Sequence, residues 1–163
     1  MDPQITARKR VKSGGFSLIE LVVAMVIVAI IAAIAIPSYS SYVLKSHRTD
    51  AKTALLDMAS LEERFFSTNN SYSQTPSDLG YPVGTTVPFV VGSSGYYQII
   101  NITVVAATPP NGVNAGTPAT YSMTAQTFGP QTSDTACQTF TLTSGGLQTA
   151  GGTDPNPNVD CWQ

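Results

Sequence analysis

Few residues in this chain could carry out chemistry. There is one histidine, His47, so a catalytic triad or a His-based general acid–base pair has no second member to draw on. The two cysteines, Cys137 and Cys161, lie in the last 27 residues with no CxxC spacing, which excludes a four-ligand zinc site. Asp154, Asn156, Asn158 and Asp160 alternate like the oxygen ligands of a calcium loop. Pro155 and Pro157 interrupt them, however, and no glutamate follows at the EF-hand spacing, so neither metal nor cofactor is expected. No Gly-Lys-Ser/Thr segment cradles a phosphate, so an energy source would have to be another protein. Asn101-Ile102-Thr103 has the form of a glycosylation acceptor but falls in a β-rich stretch. The chemically odd residue that remains is Glu20, a carboxylate at the mouth of a long apolar run.

The elements that position these residues differ sharply in composition. Among 163 residues, 42% are hydrophobic and only 11% charged, with a net charge of −2. The total hides a split, since residues 1–15 carry +3 and residues 16–163 carry −5. Beyond Arg64 there is no lysine or arginine at all, which argues against a nucleic-acid binder. Leu21–Ile36 is sixteen consecutive apolar residues. Counted from Phe16, the 21 residues to Ile36 would make a helix of about 30 Å, the thickness of a bilayer core. Arg8, Lys9, Arg10 and Lys12 on one side place the N-terminus in the cytoplasm and the bulk of the chain outside it. Two readings fit. One is a secretory signal peptide with Ala33-Ile34-Ala35 as its cleavage site; the other is a retained membrane helix.

After Pro37 a helical period resumes to about Phe66, with Leu44, Ala51, Ala54, Leu55, Met58 and Phe65 on one face. Lys45, Lys52 and Glu63 fall on the other face, and Glu62 interrupts the apolar stripe. Proline inside such a stretch predicts one long helix with a kink at Pro37, stopping near Asn69-Asn70-Ser71. The rest, 67–163, reads as strands. Tyr96–Val105 would present Ile100, Ile102 and Val104 on one face. Tyr121, Met123 and Ala125 alternate with polar residues, as do Phe140 and Leu142. Between these strands lie the turn segments 108–112 and 128–130. The expected fold is α+β: a long kinked N-terminal helix whose amphipathic half packs on a C-terminal antiparallel β-sheet.

Gly15-Phe16-Ser17-Leu18-Ile19-Glu20, after a basic leader and before an uninterrupted apolar helix, resembles the class III leader of type IV pilins and related pseudopilins. The stretches 46–50 and 61–67, Tyr72, and the ending Asp160-Cys161-Trp162-Gln163 look like the PilE-type minor pilins of type IVa pili. The resemblance implies a leader, 1–15, that a prepilin peptidase removes between Gly15 and Phe16, with N-methylation of Phe16. It implies a membrane-spanning or filament-core helix over 16–36, an amphipathic helix over 37–66, and a globular head over 67–163. It also implies that Glu20 pairs with the Phe16 amine of a neighbouring subunit; read by itself, Glu20 could instead snorkel to the head groups beside the helix dipole. The implied partners are other pilin subunits, the peptidase, and the assembly platform with its ATPase. The implied location is the inner membrane, with the head periplasmic, and then the extracellular pilus.

In that topology Cys137 and Cys161 sit in an oxidising compartment, where a disulfide persists. A bridge closing a loop of about 25 residues contributes on the order of 3 kcal/mol. Trp162 is expected to pack against the bridge, and His47 to be solvated or buried only in a filament. The function expected is structural rather than enzymatic: a minor pilin serving pilus assembly, adhesion or twitching. The alternatives are a type II secretion pseudopilin and a DNA-uptake receptor pilin.

Overall fold

An apolar run with no polar face has only its own backbone to satisfy its hydrogen bonds, and a helix does so completely. In the computed structural model, which describes residues 15–92, 94–110, 116–152 and 161–162, this run opens the helix α1, Leu18–Asn69. Its 52 residues include Pro37 in the interior. The helix stops at Asn69, at the Asn69-Asn70-Ser71 segment expected to end it, while the amphipathic period itself runs out near Phe66. There Asn70 takes the left-handed conformation (φ 58°) that commonly caps a helix, and its N–H bonds the Phe66 carbonyl at 2.8 Å.

The chain divides into two units, residues 1–40 and 41–163, each with its own internal contacts. In the first unit the described part of α1 is mostly apolar and largely exposed, with Leu18, Ile30, Ile34 and Ile36 all facing outward. The helix is long and apolar enough to cross a membrane. Its one charge before Lys45 is Glu20, in the first turn, where a carboxylate suits the positive end of the helix dipole.

In the second unit the C-terminal part of α1 packs on a five-stranded sheet. The strands are β1 (Phe89–Val91), β2 (Tyr97–Val105), β3 (Thr120–Thr127), β4 (Thr139–Thr143) and β5 (Gln148–Gly151). They are neighbours in chain order and all antiparallel. Alternation sends Tyr121, Met123, Ala125, Phe140 and Leu142 to one face, where Ala51, Leu55 and Met58 of α1 cover them. Each large apolar side chain buried here contributes about 1.5–3 kcal/mol. Tyr97 and Phe140 meet edge to face at 5.7 Å between ring centres.

Three features depart from the sequence expectation. In β2, Ile99 pairs with Ala125 but Asn101 pairs with Thr124, so one extra residue interrupts the ladder at Ile100. This bulge switches the parity of the core face. Tyr97 and Ile99 are buried before it and Ile102 after it, so Ile100 does not share a face with Ile102 and Val104. The outer strands β1 and β5, of three and four residues, are additional to the three expected. Finally, the disulfide-closed segment forms a hairpin where the sequence reading expected one strand. It contains β4 and β5, joined by a tight turn in which Gly146 holds φ at 76° and bonds the Thr143 carbonyl.

Candidate assembly sites

Gly15 and Phe16 precede the first turn of α1 and are exposed, so the peptide bond between them lies outside the helix. Glu20 follows one turn later, also exposed, and among the described residues it forms no ion pair. In the unprocessed chain Phe16 has a peptide nitrogen and no cation to offer; an amine arises there only when the leader is removed. Residues 1–14, most of the leader, lie outside the described residues.

Cys137 and Cys161 are bonded to each other, with Cα atoms 5.8 Å apart. Both are buried, and they join the same core as Phe140 and Leu142. Trp162 donates its indole N–H to the Thr149 carbonyl at 2.9 Å and sets its ring edge-on to Phe140 at 5.6 Å. The bridge and the tryptophan together tie the chain end to β4 and β5. The candidate calcium ligands Asp154, Asn156, Asn158 and Asp160 lie outside the described residues. Among the described residues no group of three or more His, Cys, Asp or Glu could hold a metal ion.

The head is held to its helix by a polar cluster that periodicity alone did not disclose. Arg48 lies within the apolar stripe and is buried. It donates through Nε to Asp134 Oδ2 at 2.7 Å and through Nη2 to Oδ1 at 2.8 Å, a bidentate fork. Asp134 stands just beyond the 3₁₀ turn Gly129–Ser133, which carries the buried Gln131. The Gln131 amide N–H group reaches the Leu44 carbonyl at 2.9 Å and the Tyr97 hydroxyl at 3.2 Å. Its Oε1 accepts from His47 Nδ1 at 3.0 Å, and the His47 ring stacks on Tyr96 at 3.9 Å. His47 is therefore half-buried against its own head, not free on the helix. Burial pushes the Tyr97 hydroxyl up to about 12, so it stays a neutral partner for Gln131.

A second buried polar residue, Glu62, also lies in the stripe and is fully enclosed. Its Oε2 accepts the Ser73 N–H at 3.0 Å, while Oε1 has no hydrogen-bond partner. Burial raises its pKa above the usual carboxylate value; the Ser73 N–H opposes the shift, and the charges of Glu63 and Asp78 add to it. The segment after α1 is thus tied back by Glu62 and by Ser73, whose hydroxyl donates to Asp78 Oδ2 at 2.7 Å. Tyr72 reinforces this tie, stacking on Phe66 and meeting Tyr121 edge-on. The sequence signal for both clusters was the same: a charge placed at a core angle of a helix.

Residues 37–141, nearly two thirds of the chain, match the family model described as "Type IV minor pilin ComP, DNA uptake sequence receptor". Residues 10–36 match the "Prokaryotic N-terminal methylation motif". The chain belongs to the type IV pilin family. Relatives of this pilin bear it out. It is 36% identical over 70 residues to the "Type IV major pilin protein PilA" of Myxococcus xanthus, covering 43% of this chain and 32% of that one. It is 34% identical over 87 residues to a "Fimbrial protein" of Pseudomonas aeruginosa, covering 52% and 56%. It is 31% identical over 110 residues to the "Type IV wide pilus major component PilA4" of Thermus thermophilus, covering 61% and 84%. The chain thus spans about a third of the first of these relatives and just over half of the second. Type IV pilins are structural subunits and not enzymes, which accords with a core whose buried polar groups serve packing.

Proposed function

We propose that this pilin is cleaved between Gly15 and Phe16 and N-methylated on Phe16 by a prepilin peptidase. It is then held in the inner membrane by 16–36, head outward, until an assembly platform and its ATPase draw it into a filament as a minor subunit. The observation that carries this reading is the exposed apolar half of α1, with Glu20 as its single unpaired charge one turn after Phe16. A carboxylate among apolar helices is costly without a cation. The processed amine of a neighbouring subunit would neutralise it as the helix leaves lipid. The helix then exchanges one apolar surrounding for another, and the small difference between the two lets assembly run in both directions. Pro37, inside α1, removes one helix hydrogen bond.

The test is the intact mass and N-terminal residue of the mature protein from its native host, paired with Glu20→Ala. Methylated Phe16 at the terminus is the expected result; a terminus at Ile36 would return the chain to a secreted, soluble form. Glu20→Ala should preserve cleavage and membrane insertion and impair incorporation into pili. Normal incorporation would sink the proposed pairing.

A second reading, reception of DNA, is favoured by the description of the matched family model. Set against it, residues 65–163 contain four acidic and no basic side chains, and Arg48 is engaged by Asp134. A DNA-binding face needs clustered cations. Salt-sensitive binding of duplex DNA by the full chain would overturn the preference for a purely structural subunit. A type II secretion pseudopilin is the remaining alternative, and the disulfide near the chain end weighs toward the pilus.

A further inference from the structure

A groove of about 580 Å³ opens in the head between α1 and the first strand, lined by Asp50, Ala54, Asp57, Tyr81, Phe89 and Val90 among others. Exposed apolar side chains stand along and near it: Val83 (97% exposed), Val87 and Val90. Two carboxylates project from one flank of α1. Asp50 Oδ2 is sealed from water and has no hydrogen-bond partner. At its side the backbone presses close, since a Cβ at Gly92 would stand 3.3 Å from Asp50 Cβ. The two aspartates are seven residues apart on the helix, about 10.5 Å, too far to share one metal ion. The groove therefore suits an elongated apolar stem that ends in a cation.

The same helix presents that complement on its opposite flank. Relative to Ala51, Asp50 and Asp57 lie about 100–120° one way around the helix, and Lys45 lies about 120° the other way. Lys45 is exposed, and among the described residues it forms no ion pair. Leu56, half exposed, lies on the Lys45 flank and offers an apolar partner for the valines. Complementary patches on two different faces of one molecule make a heterologous contact, the kind by which neighbouring copies can follow one another along a filament. We propose that the groove receives the Lys45 side chain of a second copy of this pilin, its ammonium on the exposed Asp57 and its stem against Phe89 and Val90. This rests on the filament reading above and names a head contact for it, separate from the Glu20 pairing in the apolar helix.

A zero-length carbodiimide, which joins a lysine amine to a carboxylate already in contact, tests it on filaments of the full chain from the native host. Within one chain Lys45 and Asp57 are twelve residues apart on α1, about 18 Å, and on opposite flanks, so a bond between them must join two molecules. The expected result is a Lys45–Asp57 crosslinked peptide in filaments, lost in detergent-solubilised monomer. It is also lost with Lys45→Arg, which keeps the charge and the filament but cannot couple. Charge reversal adds a second arm: Asp57→Lys should lose incorporation, and Asp57→Lys with Lys45→Asp should recover it. Filaments that contain the chain but yield no Lys45 link to Asp57 would overturn the proposal while leaving the filament reading standing. A link from Asp57 to a lysine of another protein would overturn it in favour of that partner. Absence of the chain from filaments would remove the underlying reading, and the proposal with it.

Discussion

Replacing Asp134 by alanine should be among the most damaging single changes to the head. The Arg48 and Asp134 side chains are only 9% and 4% exposed, and two short N–H···O bonds join them in parallel. Removing the carboxylate leaves a guanidinium enclosed without its counter-charge, and it also takes an acceptor at 3.3 Å from the Gln131 amide. Breaking one side of such a pair costs about 3–5 kcal/mol, because the remaining charge is neither solvated nor paired. At about 4 °C per kcal/mol for a unit of this size, the melting temperature should fall by about 12–20 °C. The assay is thermal unfolding of the full chain in detergent, followed by near-ultraviolet circular dichroism of Trp162 and the tyrosines. The control is a double-mutant cycle with Arg48→Met, which removes the stranded cation. The double variant should cost clearly less than the sum of the singles. A loss below about 1 kcal/mol for Asp134→Ala, the range of solvated surface pairs, would refute the buried-clamp account.

Two further outcomes follow from the head. Cys161→Ser opens a bridge spanning 24 residues and should cost about 3 kcal/mol, with greater protease sensitivity at the chain end; a variant melting with the wild type would mean the bridge contributes nothing. For Glu62, whose pKa is raised by burial, the folded head favours the protonated form, so its contribution is fully present below the ordinary carboxylate value. That contribution is lost as pH rises through the raised value. Glu62→Gln should therefore flatten the fall in melting temperature as pH rises above the ordinary carboxylate value. An unchanged slope would show that another group titrates there.

Much of the head's helix was legible in advance because Ala51, Leu55 and Met58 repeat at the helical period. The same period placed Glu62 among them and marked it only as a flaw. Whether a charge in an apolar stripe is an error or an anchor depends on what faces it. Ser73 comes eleven residues later, and Asp134 comes 86 residues after Arg48. No local rule connects positions that far apart. The Ile100 bulge was illegible for a related reason. A run such as Tyr97–Val105 is apolar on both parities, so alternation cannot say where a one-residue slip falls; pairing with β3 decides it. The strands β1 and β5 are too short for a period of two to register.

By itself, then, the amino-acid sequence determined the features that need only neighbours in the chain: the apolar helix, its lone Glu20, the leader motif before Phe16, and the alternation of β3 and β4. These follow from hydrogen-bond and solvation requirements that a segment meets or fails alone. The tertiary structure decided the rest: which charges are buried, which face β2 turns to the core, and how Gln131, Tyr97 and His47 converge beside the Arg48–Asp134 pair. Each of those outcomes depends on the low-dielectric surroundings that only the assembled helix and sheet create.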